Sequence, residues 1–325
     1  MIIRFRAAAA VPVALVLGLS VATAGCGKYS FGTLKAIKEF KDGNQAYGQK
    51  DWKKAVDRYE QVVTHQDAFD HYPQLATTYF FLGNSYDQLY KPTRAGDATN
   101  DGYIQKAIEN YRLAADKNTE KQWKKSALEY MAAAYGPDKL NDPAKAEPIY
   151  KEIIALEPNE PAPYLTLAKL YEDAGRYEDA EAQFDKATQV KPNDPSVLAA
   201  KAGYYNRQGD FPKTIAALEA AAALEPNNPE GYHRVGVFYW DKSRGDFRLS
   251  DKEKKDYIMK GLEMEDKALS LNPDYMEAMT YKNILLRLQA NMEKDPAKQK
   301  QLIDEADKLR NKVMDAQKRK QTGKG

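Results

Sequence analysis

The sequence is poor in the residues that most enzyme chemistry uses. Cysteine occurs once in 325 residues, at position 26, which excludes an internal disulfide framework and any cysteine-based zinc site. Histidine occurs only at positions 65, 71 and 233, so serine–histidine and histidine acid–base arrangements have few possible members. No Gly-rich phosphate loop, G-x-S-x-G elbow or H-E-x-x-H helix is present. Charge of one sign is not in excess either. The 49 basic and 47 acidic residues leave a net +2, which disappears if Arg4 and Arg6 are removed with a leader, so there is no electrostatic footprint for nucleic acid. His65 and His71, with Asp67 and Asp70 between them, fall short of the four ligands at motif spacing that structural zinc takes. Paired carboxylates such as Glu172-Asp173 read as a solvated helix face. The chain is therefore expected to be non-enzymatic, with no metal, no cofactor, no small-molecule substrate and no nucleic-acid partner.

Apolar residues make up 43% of the chain, and aromatics 11%, including 22 tyrosines. That is too much core material for a disordered protein, and enough for one large or two ordinary domains. At the start, Arg4 and Arg6 precede a run from Ala7 to Ala24 with no charged residue, followed by Gly25-Cys26. This has the three regions of a secretory signal. The run is also borderline in length for a membrane span, but Pro12 and the small residues Ala22 to Gly25 favour a signal over residues 1–25. Thr23-Ala24-Gly25-Cys26 resembles the lipobox of bacterial lipoproteins, with Thr23 where Leu is usual. The resemblance implies that Cys26 is acylated and heads a tether over residues 26–35. Several acyl chains hold a protein on a membrane stably, whereas one alone does so marginally. Ala22-Thr23-Ala24 also fits ordinary signal peptidase, which would release a soluble periplasmic binding or accessory protein. The placement of the lone cysteine directly after Ala-Gly favours acylation.

The remainder is periodic. Prolines 158, 192 and 226 recur every 34 residues, as do prolines 161, 195 and 229, and Gly175 and Gly209 share the spacing. In each linker the first Pro stops a helix, Asp194 or Asn228 can cap the next, and the second Pro sits at its first position, where no N–H is needed. Between linkers, Tyr164, Leu167, Ala168 and Tyr171 precede Gly175, and Tyr177, Ala180, Phe184 and Ala187 follow it. Small residues at this spacing let two helices approach while large ones fill the gaps around them. The pattern resembles the tetratricopeptide repeat (TPR) at its signature positions. The resemblance extends over units 36–69, 76–120, 125–160, 161–194, 195–228 and 229–275, although Lys201 and Thr214 stand where Leu and Ala are usual. A degenerate, polar-faced pair at 276–318 caps the array, and a basic disordered tail covers 319–325. Insertions at Lys91–Tyr103 and Ser243–Lys255 are expected as surface loops between paired helices. Tyr59, Tyr86, Tyr111, Tyr135, Tyr150, Tyr171, Tyr205 and Tyr239 fall on core positions.

The resemblance implies an all-α solenoid, a right-handed superhelix of about seven helix-turn-helix units whose first helices line a concave face. Carried onto this chain, the groove-facing positions are Asn44, Phe80, Asn84, Asn206, Arg207, His233, Arg234, Trp240 and Arg287. Asn44 and Asn84 match part of a carboxylate clamp found in some TPR domains, but Phe40 stands where that clamp has Lys, so no such clamp is expected. Asn206, Arg207, His233, Arg234 and Trp240 place cations and an aromatic on adjacent helices, the composition that interface hot spots favour. At the level of repeat plus lipobox, the chain resembles TPR lipoproteins of outer-membrane β-barrel assembly and TPR pilotins of type IV pili. The implied role is a protein–protein interaction scaffold in a bacterial envelope, lipid-anchored and facing the periplasm, at the outer membrane rather than the inner.

Overall fold

The computed structural model describes residue 28 and residues 30–321; the leader, Cys26 and the last four residues lie outside them. Among the described residues there are fifteen α-helices and no strand. Helix α1 (Phe31–Gly48) is followed by α2 (Trp52–Val63), then a short α3 (Asp67–His71) and a 3-10 turn (Pro73–Ala76). Next come α4 (Thr77–Leu89) and α5 (Ala98–Lys117), α6 (Lys121–Ala134) and α7 (Pro143–Leu156), and α8 (Pro161–Asp173) and α9 (Tyr177–Val190). The rest comprises α10 (Pro195–Arg207) and α11 (Phe211–Leu224), α12 (Pro229–Gly245) and α13 (Asp251–Leu271), and α14 (Met276–Met292) and α15 (Pro296–Gln321). This is the all-α, helix–turn–helix architecture that the sequence period requires.

The starts and stops follow from local chemistry. Asp51, Asp142 and Asp210 each accept the backbone N–H of N3 with a side-chain oxygen, at 3.2, 3.1 and 3.1 Å. Asp194 and Asn228 cap α10 and α12 from just before Pro195 and Pro229, leaving no orphan donor at N1. Gly175 and Gly209 turn the chain between helices with φ of 73° and 75°; Lys50 and Asn141 take the left-handed conformation at their own turns, with φ of 59° and 48°.

The helices group into two compact units: residues up to Pro158 with Lys169–Ala180, and Asn159–Ala168 with the chain from Glu181 onward. In the first, Tyr59, Ile104, Tyr111 and Leu128 are fully buried. In the second, Val235 and Tyr239 pack with Leu218, and Leu285 with Ile258, Leu262 and Ala306. Most of the core tyrosines also do a second job. Tyr171 donates its hydroxyl to Glu147 at 3.0 Å while the Arg176 guanidinium lies 4.2 Å over its ring and pairs with the same carboxylate. Tyr205 repeats this with Glu181 at 2.8 Å and Lys213 at 4.9 Å over the ring. Tyr86 repeats it with Glu60 and Lys106. A buried phenol thus finds an acceptor on an earlier helix, and the cation that faces its ring neutralises that acceptor. Lys151 first, then Arg176 and Tyr171, hold the Glu147 carboxyl down to about 2.

Three expectations need correction. The insertion at 91–103 is not a free loop: Ala98–Tyr103 forms the first turns of α5, after a 3-10 turn at Pro92–Arg94. At 243–255, α12 continues to Gly245 and α13 begins at Asp251, so most of the added length extends helices and only a short turn remains. Helix formation adds a hydrogen bond for each residue fixed, so extra residues with helical neighbours join them. Residues 319–321, expected in a disordered tail, continue α15.

Ala180 has no exposed surface. Ala180→Leu is therefore expected to overpack its surroundings and cost about 1–3 kcal/mol in a urea titration. The exposed Glu178, changed to Ala, should stay within about 0.5 kcal/mol of the parent.

Candidate partner-binding faces

In the second unit the expected residues converge only in part. Asn228 and Pro229 start α12 so that His233 and Trp240, two turns apart, lie on one side of it. There they meet the start of α14 and the residue before it. The His233 ring is edge-on to Tyr275 at 5.1 Å and to Tyr281 at 5.3 Å, and Trp240 is edge-on to Tyr281 at 5.1 Å. The Arg244 guanidinium lies 4.8 Å over the Trp240 ring, a cation–π contact on a half-exposed surface. Below His233, the fully buried Glu265 of α13 takes its Nδ1 at 3.0 and 3.1 Å. Burial raises the Glu265 carboxyl to about 7, against the opposing pull of His233. Gly236 makes room for that carboxylate, since a Cβ there would stand 2.7 Å from its Oε1.

Arg234 is exposed and borders a small cleft with Glu225 and Glu230. Asn206 and Arg207 are exposed at the last turn of α10, and the ring cluster forms with α14 instead. Arg287 is engaged within the unit, with Asn283 at 3.0 Å and with Asp307. Tyr275, Tyr281 and Arg244 are members that the sequence reading missed. The spacing of Trp240 and Arg244, four residues apart on one helix, carried a trace of the last.

In the first unit, two expected groove residues are spent internally. Phe80 is 7% exposed and Asn84 4% exposed, so neither is available to a partner. Asn84 accepts the Tyr47 hydroxyl at 2.8 Å, and Asn44, though exposed, accepts that of Tyr59 at 2.8 Å. Asparagine at this position satisfies buried phenols. Phe40, in place of the clamp lysine, packs against Tyr59. What this unit does present is a run of rings across three helices that the sequence reading did not assemble. Tyr47 of α1 meets Phe81 of α4 at 5.1 Å, Phe81 meets Trp123 of α6 at 5.6 Å, and Phe80 meets Tyr130 at 5.2 Å. Tyr130 is 42% exposed, and Tyr47, Phe81 and Trp123 are half-buried.

Elsewhere in this unit a shallow groove of about 690 Å³ runs between α5 and α7 over Ile108, Leu113, Met131 and Pro148. Arg112 ties its edge to Glu152 through two hydrogen bonds of 2.7 and 2.9 Å. It is apolar and brings no nucleophile and base together. No three His, Cys, Asp or Glu side chains are placed to share a metal among the described residues, and no described helix is long and apolar enough to cross a membrane.

Residues 139–204 match the family model described as tetratricopeptide repeat. No curated protein matches the chain. Among solved structures, the C-terminal part of a TPR repeat-containing protein from Cytophaga hutchinsonii is 14% identical, with 85% of this chain and 98% of that one covered and a TM-score of 0.51. A tetratricopeptide repeat protein from Parabacteroides merdae is 14% identical over 84% of this chain and 99% of its own, with a TM-score of 0.45. YrrB, described as a TPR protein with an unusual peptide-binding site, is 16% identical over 66% and 95%, with a TM-score of 0.37. The likeness is one of fold: the architecture is of the TPR type, and the repeat itself is recognisable in residues 139–204.

Proposed function

We propose that this protein is a non-enzymatic protein-interaction scaffold, exported and held on the periplasmic side of a bacterial envelope by acylation of Cys26, where it takes part in assembling an envelope complex. The observation that carries the interaction role is the ring cluster of His233, Trp240, Tyr275 and Tyr281 with Arg244 stacked upon it. Half-exposed aromatics beside a guanidinium supply large contact area at low entropy cost, which is how interface anchors work. The ring run ending at Tyr130 offers the first unit a comparable surface. Support for export and acylation comes from the charge-free run before the lone cysteine.

Crosslinking capture from intact envelopes tests both parts. Arg234→Glu and Arg244→Glu should each lower capture of the envelope partner by about tenfold or more, the size of a hot-spot loss, with the melting temperature unchanged. Cys26→Ala should abolish acyl labelling and move the chain to the soluble periplasmic fraction or leave it unprocessed. Capture that ignores both arginines removes the face. Cleavage after Ala24 without labelling would identify a soluble periplasmic binding protein instead.

A further inference from the structure

The first helix carries a face that the helix pairs leave unused. On α1, Thr33, Ala36, Glu39, Gly43 and Ala46 are buried. The opposite side presents Phe31, 85% exposed, and Leu34, 52% exposed. Lys38, with 70% of its side chain exposed, and the exposed Lys41 follow. At 3.6 residues per turn these four positions share less than a quarter of the helix circumference. Lys35 flanks them, and Asp42 is the one acid on this side, 3.4 Å from Lys38. Asp67 and His65 stand on another side of the helix start, next to Gly32.

Two large apolar side chains in the first turn, followed by lysines in the next two, suit a helix that rests on a bilayer. The rings and aliphatic groups enter the acyl boundary and the ammonium groups meet anionic headgroups. The place of this helix in the chain supplies the second argument. Cys26 lies four residues before Ser30, whose Oγ accepts the Thr33 N–H at 3.1 Å and fixes Phe31 as the first helical residue. An acylated Cys26 would hold this face within a few residues of the membrane. The cost of ordering it there is small, because the tether raises its effective concentration.

We propose that Phe31, Leu34, Lys38 and Lys41 form a docking face for an anionic membrane surface, which orients the first unit on the bilayer. The proposal rests on the export and anchoring reading for bringing the face to a membrane. The chemistry of the face is tested separately. The exported chain, residues 26–325 carrying Cys26→Ala, is sedimented with vesicles of phosphatidylcholine containing phosphatidylglycerol and with vesicles of phosphatidylcholine alone. Binding should require phosphatidylglycerol and weaken with salt. Lys38→Glu and Lys41→Glu should each reduce it by roughly fivefold or more, and Phe31→Ser with Leu34→Ser should also reduce it, all with unchanged helix content. Binding that is absent, equal on both vesicles, or unaffected by these changes overturns the proposal. So does concentration-dependent self-association that Phe31→Ser with Leu34→Ser abolishes, which would make the face an interface between copies. Acyl labelling of the full chain in cells is scored in parallel. Labelling without vesicle binding removes the face and leaves the anchor, and vesicle binding without labelling removes the anchor and leaves the face.

Discussion

Gly83→Ala is expected to destabilise the first unit by about 1–3 kcal/mol, the usual cost of overpacking a core contact. The change should, on helix propensity alone, stabilise α4 by roughly 0.5–1 kcal/mol. The local geometry reverses the sign. A Cβ at Gly83 would stand 2.9 Å from the Tyr111 ring and 3.1 Å from the Ala107 carbonyl oxygen. Tyr111 has no exposed surface, and its hydroxyl is fixed between Asp87 at 3.2 Å and Asn84 at 3.4 Å, so the ring cannot retreat. Gly102→Ala is the control. Gly102 lies in α5 with nothing within 4 Å of its would-be Cβ, and the same substitution should there raise stability by roughly 0.5–1 kcal/mol. Chemical denaturation of both variants checks the pair. Stabilisation at both positions would mean that α4 and α5 do not approach as closely as the structure has them.

The second large effect is a pH dependence centred on Glu265. Burial lifts its carboxyl from 4.5 to about 7. The unfolded chain releases this proton near pH 4.5 and the folded chain only near 7, so across that window the native state holds the extra proton. Stability contributed by the protonated form is therefore lost as pH rises, by on the order of 3 kcal/mol. Glu265→Gln keeps the shape beside Gly236 and removes the charge. It should raise the melting temperature near neutral pH and flatten its dependence between about pH 5 and 7. The charged groups acting on Glu265 are His233, which opposes the rise, and Asp266, which adds to it, and Lys282 is committed to Asp266 and Glu305 at 2.8 Å each. Melting curves across this range that are superimposable for parent and variant would show that Glu265 is ionised throughout.

Much of the fold was legible in the residues because its determinants are local. A proline at the first helical position, an aspartate or asparagine before it and a small residue at a fixed offset each act within one turn, and α10 and α12 begin where these signals stand. The core tyrosines were legible for the same reason, since period alone tells which side of a helix meets its partner. Less of the candidate faces was readable. Period does not say how deep a neighbouring pair buries a given position, so Phe80 and Asn84 fell on the expected side of α4 and were nevertheless enclosed by Tyr47, Tyr111 and Trp123.

The sequence by itself determined the helix-pair architecture, the caps at Asp194 and Asn228, the buried small residues at Ala168, Ala180 and Ala187, and the absence of disulfide chemistry within the chain. Those properties need only the order of residues and the geometry of one helix beside the next. Only the tertiary structure decided which side chains meet across helices far apart in the chain. It brought Tyr281 and Tyr275 to His233 and Trp240, set the buried Glu265 against His233, and joined Tyr47, Phe81 and Trp123 into one ring run. It also left Phe31 and Leu34 uncovered on α1. Contacts of that kind depend on crossing angle and depth of packing, which many side chains set together and no single spacing records.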